Sequence, residues 1–311
     1  MKKILVIGGS GHVSGAVVRA ALSEGHRVYT ITRGTRPAVG KVVELHGDRH
    51  DEAAMEKIAQ SLAGEKFDAV IDVICFNADD MRQTLELFAP QTKQLLFVST
   101  DWVYEPTLRR YPQPVEDSPL LTGDHGGFES YGWGKLMAEK YLCSYAPEHL
   151  AYTIFRPCHI YGMPSLPGCF PGHCRDKELI AKLLANETIE LVDNGRLLQQ
   201  PIEVDDLAKT IISAIGNGKA YNRIFNMAGP DIVESRKYYE IIAEVLKVKL
   251  KTRDIDYNDY LAENPGHRPF LFHRIYTFDD LKNADLYVPV TPLTEGLRKH
   301  ILALLEIQQD Q

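Results

Sequence analysis

Tyr131 and Lys135, in the stretch Tyr131-Gly132-Trp133-Gly134-Lys135, set a phenol and an amine four residues apart. On a helix that spacing puts two side chains on one face, a turn apart. A free phenol, with a pKa of about 10, is a poor base at neutral pH. A nearby ammonium favours its anion and lowers that value. Such a pair can take a proton from an alcohol or return one to a carbonyl oxygen, and the lysine can also hold a nicotinamide ribose. A Tyr-x3-Lys match is common by chance, and taken alone a solvated helix face explains it better. A second stretch changes that balance. Ile7-Gly8-Gly9-Ser10-Gly11 leaves an apolar run and opens a segment with helical periodicity, the context in which glycines let backbone N–H groups approach a dinucleotide pyrophosphate. Ser14 stands where a third glycine is usual, and Gly15 follows it. A plain tight turn is the alternative. Together the two stretches predict movement of a hydride and a proton between a nicotinamide and an alcohol or ketone.

Two further positions sharpen the expectation. Ser99-Thr100 closes a predicted strand, where the carboxyl end of a parallel strand opens into a ligand crevice. A hydroxyl there can hydrogen-bond the reacting oxygen as charge develops on it. Thr32-Arg33 ends the second predicted strand, and Arg36 follows. An acidic side chain at that strand end binds a ribose 2′-hydroxyl, whereas an arginine accommodates a 2′-phosphate, so Arg33 leans to NADP, with NAD as the alternative. Cys158, His159, Cys169, His173 and Cys174 crowd together, but no spacing among them matches paired C-x2-C ligands. They are read as loop residues, with cysteine as a small apolar side chain, and no metal is expected.

The elements that must position these groups alternate in the first half of the chain. Strands are predicted over 3–7, 27–32, 42–45, 69–74 and 94–99, and helices over 13–23, 51–62 and 81–88. Short apolar runs between helical segments indicate parallel strands covered on both faces, and hence an α/β, Rossmann-type doubly wound parallel sheet. Residues 105–128 are rich in Pro, Gly and Asp and read as a long loop. A helix from about Tyr131 to Tyr145 and a strand over 152–155 follow, then an irregular loop over 162–174. The division expected is a dinucleotide-binding domain over 1–161, with a return segment at about 196–215. A smaller C-terminal substrate lobe, over 162–195 and 216–311, is partly interleaved with it.

At 311 residues the chain can bury a large α/β core or two lobes. Its net charge of -7 gives no general attraction to nucleic acid or anionic membrane surfaces. Ile4–Ile7 is too short for a signal-peptide core, and no segment approaches the roughly 18 apolar residues that span a bilayer. A cytoplasmic protein without membrane or nucleic-acid partners is expected. Five irregularly spaced cysteines argue against a disulfide framework.

In this order the motifs resemble the extended short-chain dehydrogenase/reductases, the NAD(P)-dependent epimerase/dehydratase family. The resemblance runs over nearly the whole chain. It rests on Gly8-Gly9-Ser10-Gly11, Gly47-Asp48-Arg49, Val98-Ser99-Thr100-Asp101-Trp102-Val103-Tyr104, Tyr131/Lys135, Arg156-Pro157-Cys158-His159-Ile160-Tyr161-Gly162, Val204-Asp205-Asp206-Leu207-Ala208, Phe225-Asn226-Met227-Ala228 and Pro292-Leu293-Thr294-Glu295-Gly296-Leu297. It implies a catalytic triad of Thr100, Tyr131 and Lys135. It also implies cofactor binding by Gly8, Ser10, Gly11, His12, Val13, Arg33, Asp48, Arg49, Lys135 and Pro157, with Asp48 near the adenine and Pro157 near the nicotinamide. A small-molecule, sugar-like substrate follows, as does a homodimer formed through the helix carrying Tyr131 and the helix before strand five.

Three departures limit what the resemblance implies. Strand four runs into Asp72-Val73-Ile74-Cys75-Phe76, where many members carry a His-Leu-Ala-Ala-like stretch. Trp102 replaces the glutamate of the sugar dehydratases' Thr-Asp-Glu, which argues against dehydration by that route. Gln199 stands where nucleotide-sugar enzymes place a diphosphate-clamping arginine, and a neutral amide cannot replace that charge. Arg196, a turn away, is the substitute the sequence offers. An epimerase or a dehydrogenase/reductase is the expectation; the alternative is a non-catalytic member that senses cofactor or binds RNA. Intact Tyr131 and Lys135 and the acidic charge speak against the alternative.

Overall fold

The computed structural model describes residues 1–169 and 171–309. Its centre is a seven-stranded parallel sheet of β1 (Lys3–Ile7), β2 (Arg27–Thr32), β3 (Val43–His46), β4 (Ala69–Asp72), β5 (Gln94–Val98), β6 (Ala151–Pro157) and β7 (Arg223–Met227), in the order β7-β6-β5-β4-β1-β2-β3. The flanking helices are α1 (His12–Ser23), α2 (Glu52–Ser61), α3 (Ala78–Phe88), α4 (Phe128–Tyr145) and α5 (Val204–Ser213). Side chains alternate across the sheet. Ile4 and Val6 pack with Val17 of α1 and Leu207 and Ile211 of α5, whereas Leu5 and Ile7 pack with Met55 of α2, Met81 of α3 and Leu142 of α4. Each such side chain, fully buried, contributes about 1.5–3 kcal/mol over leaving it in water. Burial on both faces is why the strands read as continuous apolar runs. The strand order reverses between β1 and β4, and a crevice opens there at the carboxyl ends.

The doubly wound α/β architecture is therefore as expected, and the differences lie at element ends. β4 stops at Asp72 rather than Ile74, because the Asp72 carboxylate accepts the Ile74 N–H at 3.1 Å and turns the chain. α4 starts at Phe128 rather than Tyr131, since Gly126 and Gly127 take φ of +82° and +58° just before it; Tyr131 thus sits in its first turn. One boundary needs correcting. Arg223–Met227, placed in the smaller lobe from sequence, is the seventh strand of the main sheet, in parallel register with Thr153–Pro157. Its five residues lie at an edge and carry too short an apolar run to announce a strand.

A separate core joins the chain beyond the sheet. Tyr161, Leu179 and Ile180 pack against Tyr238 and Ile242 of α6 (Ser235–Leu246) and against Leu293, Leu297 and Ile301 of α7 (Leu293–Gln309). The 3-10 segment Pro265–Phe270 returns over the sheet, anchored by Arg268 Nε and Nη2 donating to the two Glu129 oxygens of α4 at 2.6 and 3.0 Å. No helix among the described residues is long and apolar enough to cross a membrane.

Candidate active site

Two adjoining clefts open at the carboxyl edge of the sheet, of about 320 and 600 Å³, and Phe76 belongs to the wall of both. The smaller is floored by Gly8, Gly9, Ser10 and Gly11 and rimmed by Arg33, Arg36, Asp48 and Arg49. The glycines are there for steric reasons. Gly8 and Gly9 hold φ of +107° and +147°, and a Cβ on Gly9 would lie 2.8 Å from Thr30 Cγ2. Ser14, in place of a third glycine, accepts the Gly11 N–H at 3.0 Å and fixes the turn against α1. The floor is bare backbone at a helix N-terminus, so a pyrophosphate fits it.

The expected cofactor residues do not all present side chains to this crevice. Arg33 and Arg36 are exposed at its rim. Asp48 accepts the His50 N–H at 3.0 Å. Arg49 is buried, with Nη1 donating to Asp72 at 3.1 Å, Nη2 donating to Asp80 O at 2.7 Å and Nε 3.3 Å from Asp80 Oδ1. Its charge is neutralised inside the protein, so it shapes the wall and carries no free charge for a ligand. The His12 ring turns away toward the Gly162 backbone; burial, and after it Arg175, lower its pKa to about 4. Only its backbone N–H can serve the crevice. Val13, Pro157 and Lys135 line the larger cleft.

In that larger cleft Thr100, Tyr131 and Lys135 come together. Tyr131 and Thr100 line the same cleft, and the Thr100 hydroxyl accepts the Trp102 N–H at 3.3 Å. Ser99 points elsewhere, donating to Glu139 in a buried cluster, so Thr100 is the hydroxyl of the pair that faces the phenol. Lys135, 1% exposed, donates from Nζ to Val98 O at 2.8 Å, with its ammonium 4.8 Å from the Phe76 ring centre and 5.8 Å from that of Tyr131. Burial pushes the Lys135 pKa down to about 8.

The phenol differs from the expectation. Packing against Trp102 and Phe76 removes part of its water and pushes it up to about 12, although the residue stays 38% exposed, and the cation that opposes this is Arg175 rather than Lys135. Desolvation outweighs the lysine because the ammonium is turned into the sheet, toward Val98 O.

The close approach of α4 depends on its two glycines. A Cβ at Gly132 would lie 2.4 Å from Trp102 O, and one at Gly134 2.4 Å from Phe76 O. Both contacts are with backbone, which cannot swing away. Gly132→Ala should therefore cost about 1–3 kcal/mol and displace Tyr131 from Thr100. Urea unfolding would measure the first effect, and wild-type stability would contradict this packing.

Asp101 is closed off from the cleft's chemistry. Its carboxylate accepts the Tyr276 hydroxyl at 2.6 Å and lies 3.4 Å from Arg274 Nε and 3.7 Å from Arg109 Nη1. These partners come from two segments, around 109 and 274–276, and no spacing in the sequence announces them. Arg274, in the cleft wall, was likewise missed as a site residue, whereas Arg175 belongs to the 162–176 loop, the sort that shapes pockets, and Phe76 to the altered end of strand four. Gln199 is fully buried and lies outside the cleft lining, and Arg196 is an exposed residue ending a turn, also outside it. Arg196 does not replace the missing clamp. In the Cys/His-rich stretch, Cys158 donates to Gln200 O at 2.9 Å, and the His173 ring nitrogens meet Asp176 at 3.1 Å and Glu190 O at 2.9 Å.

With this geometry in place, comparison with known proteins decides the family. Residues 4–228 match the family described as "NAD dependent epimerase/dehydratase family". The chain belongs to that family. It is 29% identical over 249 residues to the chloroplast stem-loop binding protein of 41 kDa b of Arabidopsis thaliana, covering 75% of this chain and 60% of the relative. It is 24% identical over 252 residues to the 2′-dehydrokanamycin reductase of Streptomyces kanamyceticus, covering 78% and 66%. The matches thus span less than two thirds of either relative's length. Among solved structures, the UDP-glucose 4-epimerase of Thermotoga maritima with UDP-glucose superposes with a TM-score of 0.78 at 19% identity, covering 98% of this chain and 99% of that one. At that identity the likeness is one of fold.

Proposed function

We propose that the protein is a nicotinamide-dependent oxidoreductase or epimerase acting at a hydroxyl or keto carbon of a sugar-like small molecule. Thr100 and Tyr131 would bind the reacting oxygen, and Lys135 would support the nicotinamide ribose. The observation that carries the reading is the meeting of Thr100, Tyr131 and Lys135 in a cleft that shares the Phe76 wall with a bare-backbone pyrophosphate floor. The bound dinucleotide would supply or accept the hydride. The protein's own part is proton movement at the Tyr131 oxygen, hydrogen bonding by Thr100 as charge develops on the substrate oxygen, and exclusion of water by Trp102, Phe76 and Phe270. Mass spectrometry of the purified protein for retained dinucleotide tests the first half of this reading. Nicotinamide absorbance during turnover then separates the outcomes: a net change marks a dehydrogenase or reductase, and retained cofactor without net change an epimerase.

NADP is the proposed dinucleotide. Arg33 and Arg36, both exposed, flank the end of β2 where a 2′-phosphate would lie, and each charge-assisted contact contributes about 1.5–3 kcal/mol. Replacing both with serine should lower the preference for NADPH over NADH at least about tenfold by equilibrium titration. An unchanged ratio would assign Asp48 the ribose hydroxyl and NAD the site.

A second reading has one observation in its favour, the similarity to a stem-loop binding protein. Against it stands the net charge of -7, since phosphate contacts dominate nucleic-acid affinity. Filter binding of a stem-loop RNA at physiological salt should give no specific complex. The expected homodimer, through α3 and α4, is proposed on the half-buried Trp133 and Met137 and the exposed Tyr145 of α4; light scattering would test it.

A further inference from the structure

The larger cleft carries an excess of positive charge that the proposed proton and hydride chemistry does not use. Its wall contains Lys135, Arg175 and Arg274 and no aspartate or glutamate among the described residues. Lys135 is turned into the sheet. Arg274 and Arg109, both buried, lie 3.4 and 3.7 Å from the Asp101 carboxylate, and Arg274 Nη2 also donates to Pro269 O at 2.9 Å. Arg175 is exposed, and its backbone takes φ +52°, a left-handed conformation that a side chain other than glycine, asparagine or aspartate adopts at a cost. Asp176 N–H donating to Pro167 O at 2.9 Å holds the loop that presents it.

The two guanidiniums act on the same groups. Both line the cleft wall together with His159, Cys174 and Tyr131. His159 is consequently a neutral imidazole: burial first, then Arg175 and Arg274, lower its pKa to about 3. Around this cationic end stand the rings of Trp102, Phe128 and Phe270, which pack on one another at 4.8–6.0 Å between centres. Anions gain most where water is excluded and the donors are already fixed. The diphosphate-clamp position is meanwhile occupied by Gln199, buried outside this cleft.

We infer that the substrate of this site is a small hydroxy or keto compound bearing its own carboxylate or phosphate group, held by Arg175 and Arg274 beside Tyr131 rather than by a nucleotide handle. The inference rests on the oxidoreductase reading for the existence of the site and adds the charge of its occupant. It separates this chain from a reductase of 2′-dehydrokanamycin, whose amino groups would meet two arginines and no carboxylate.

The test titrates the dinucleotide-loaded protein with four probes of one size: glucuronate, glucose 1-phosphate, glucose and glucosamine. Trp102 in the wall gives a fluorescence readout, with Trp102→Phe to assign it. At least one anionic probe should bind, glucose and glucosamine should bind at least about tenfold more weakly, and the better anion identifies the head group. Arg175→Met should remove that selectivity and leave dinucleotide affinity unchanged. Arg175 is exposed, so its replacement tests recognition without threatening the fold; Arg274→Lys, which keeps the charge beside Asp101, should retain part of the anion affinity. Binding of neither anion, equal binding of glucose or glucosamine, or an Arg175→Met variant with undiminished anion affinity would overturn the inference. Failure of the dinucleotide itself to bind is read separately, before any probe is added, and counts against the oxidoreductase reading and, with it, this site.

Discussion

Tyr131→Phe should lower turnover about 10²–10⁴-fold, the range that a positioned acid or base supplies, while dinucleotide affinity stays as in the wild type. The phenylalanine keeps the ring contacts with Trp102 and Phe76 and removes only the phenolic oxygen. Reduction of an activated ketone such as isatin by NADPH is a suitable assay while the natural substrate is sought. The pH dependence follows from the site's electrostatics. With the phenol pushed up to about 12, Tyr131 is protonated at neutral pH, the form needed to donate to a developing alkoxide. Reduction should therefore be flat through neutrality. Alcohol oxidation needs the phenolate, whose fraction grows about tenfold per pH unit below its pKa, so oxidation should climb with pH. Loss of the Lys135 ammonium above about 8 should change this climb little, because the ammonium is turned toward Val98 O and Arg175 is the cation that opposes the raised pKa. A Tyr131→Phe variant with wild-type turnover, or oxidation indifferent to pH, would remove Tyr131 from the proton's path.

The parts of this molecule that were legible in the sequence are those governed by short-range rules. Short continuous apolar runs and glycine punctuation announce β1 to β5 and the dinucleotide turn, and the four-residue spacing of Tyr131 and Lys135 places them on one helical face. What escaped is set by distant partners. The direction of Lys135 toward Val98 O, the neutralisation of Arg49 by Asp72 and Asp80, and the meeting of Asp101 with Arg109, Arg274 and Tyr276 all depend on tertiary packing. The phenol shows the consequence for chemistry. Sequence spacing supplies the neighbouring cation and predicts a lowered pKa, but cannot show that aromatic rings partly desolvate the phenol or that the opposing cation comes from a loop more than forty residues later. The resemblance named Thr100 rather than Ser99, and what it could not supply is the physical difference between them: Glu139 accepts from the Ser99 hydroxyl.

That Glu139 contact belongs to the group whose loss should cost the fold most. Arg156 of β6 donates from Nε and Nη2 to the two Glu139 oxygens of α4 at 3.0 and 2.6 Å, and from Nη1 to the Tyr104 hydroxyl at 3.0 Å. Tyr104 donates in turn to Asn226 Oδ1 of β7 at 2.7 Å, and Ser99 donates to the same carboxylate. Both ion-pair side chains are 3% exposed. Burial alone would lower the Arg156 pKa, but the Glu139 carboxylate overrides it and holds the guanidinium above its usual value. Arg156→Met removes one charge and leaves the other in a dry interior, so unfolding free energy in urea should fall by about 3–5 kcal/mol. Replacing both partners, Glu139→Leu with Arg156→Met, leaves no buried charge and should recover much of that loss. The two variants also separate stability from catalysis. If the pair positions α4, the double variant should be nearly as stable as wild type yet slower, because Ser99 loses its acceptor beside Thr100 and Tyr131 is held less firmly against it. A single variant losing less than about 1 kcal/mol would mean that water reaches the pair and screens it as at a surface, and that the catalytic helix is held by its apolar contacts alone.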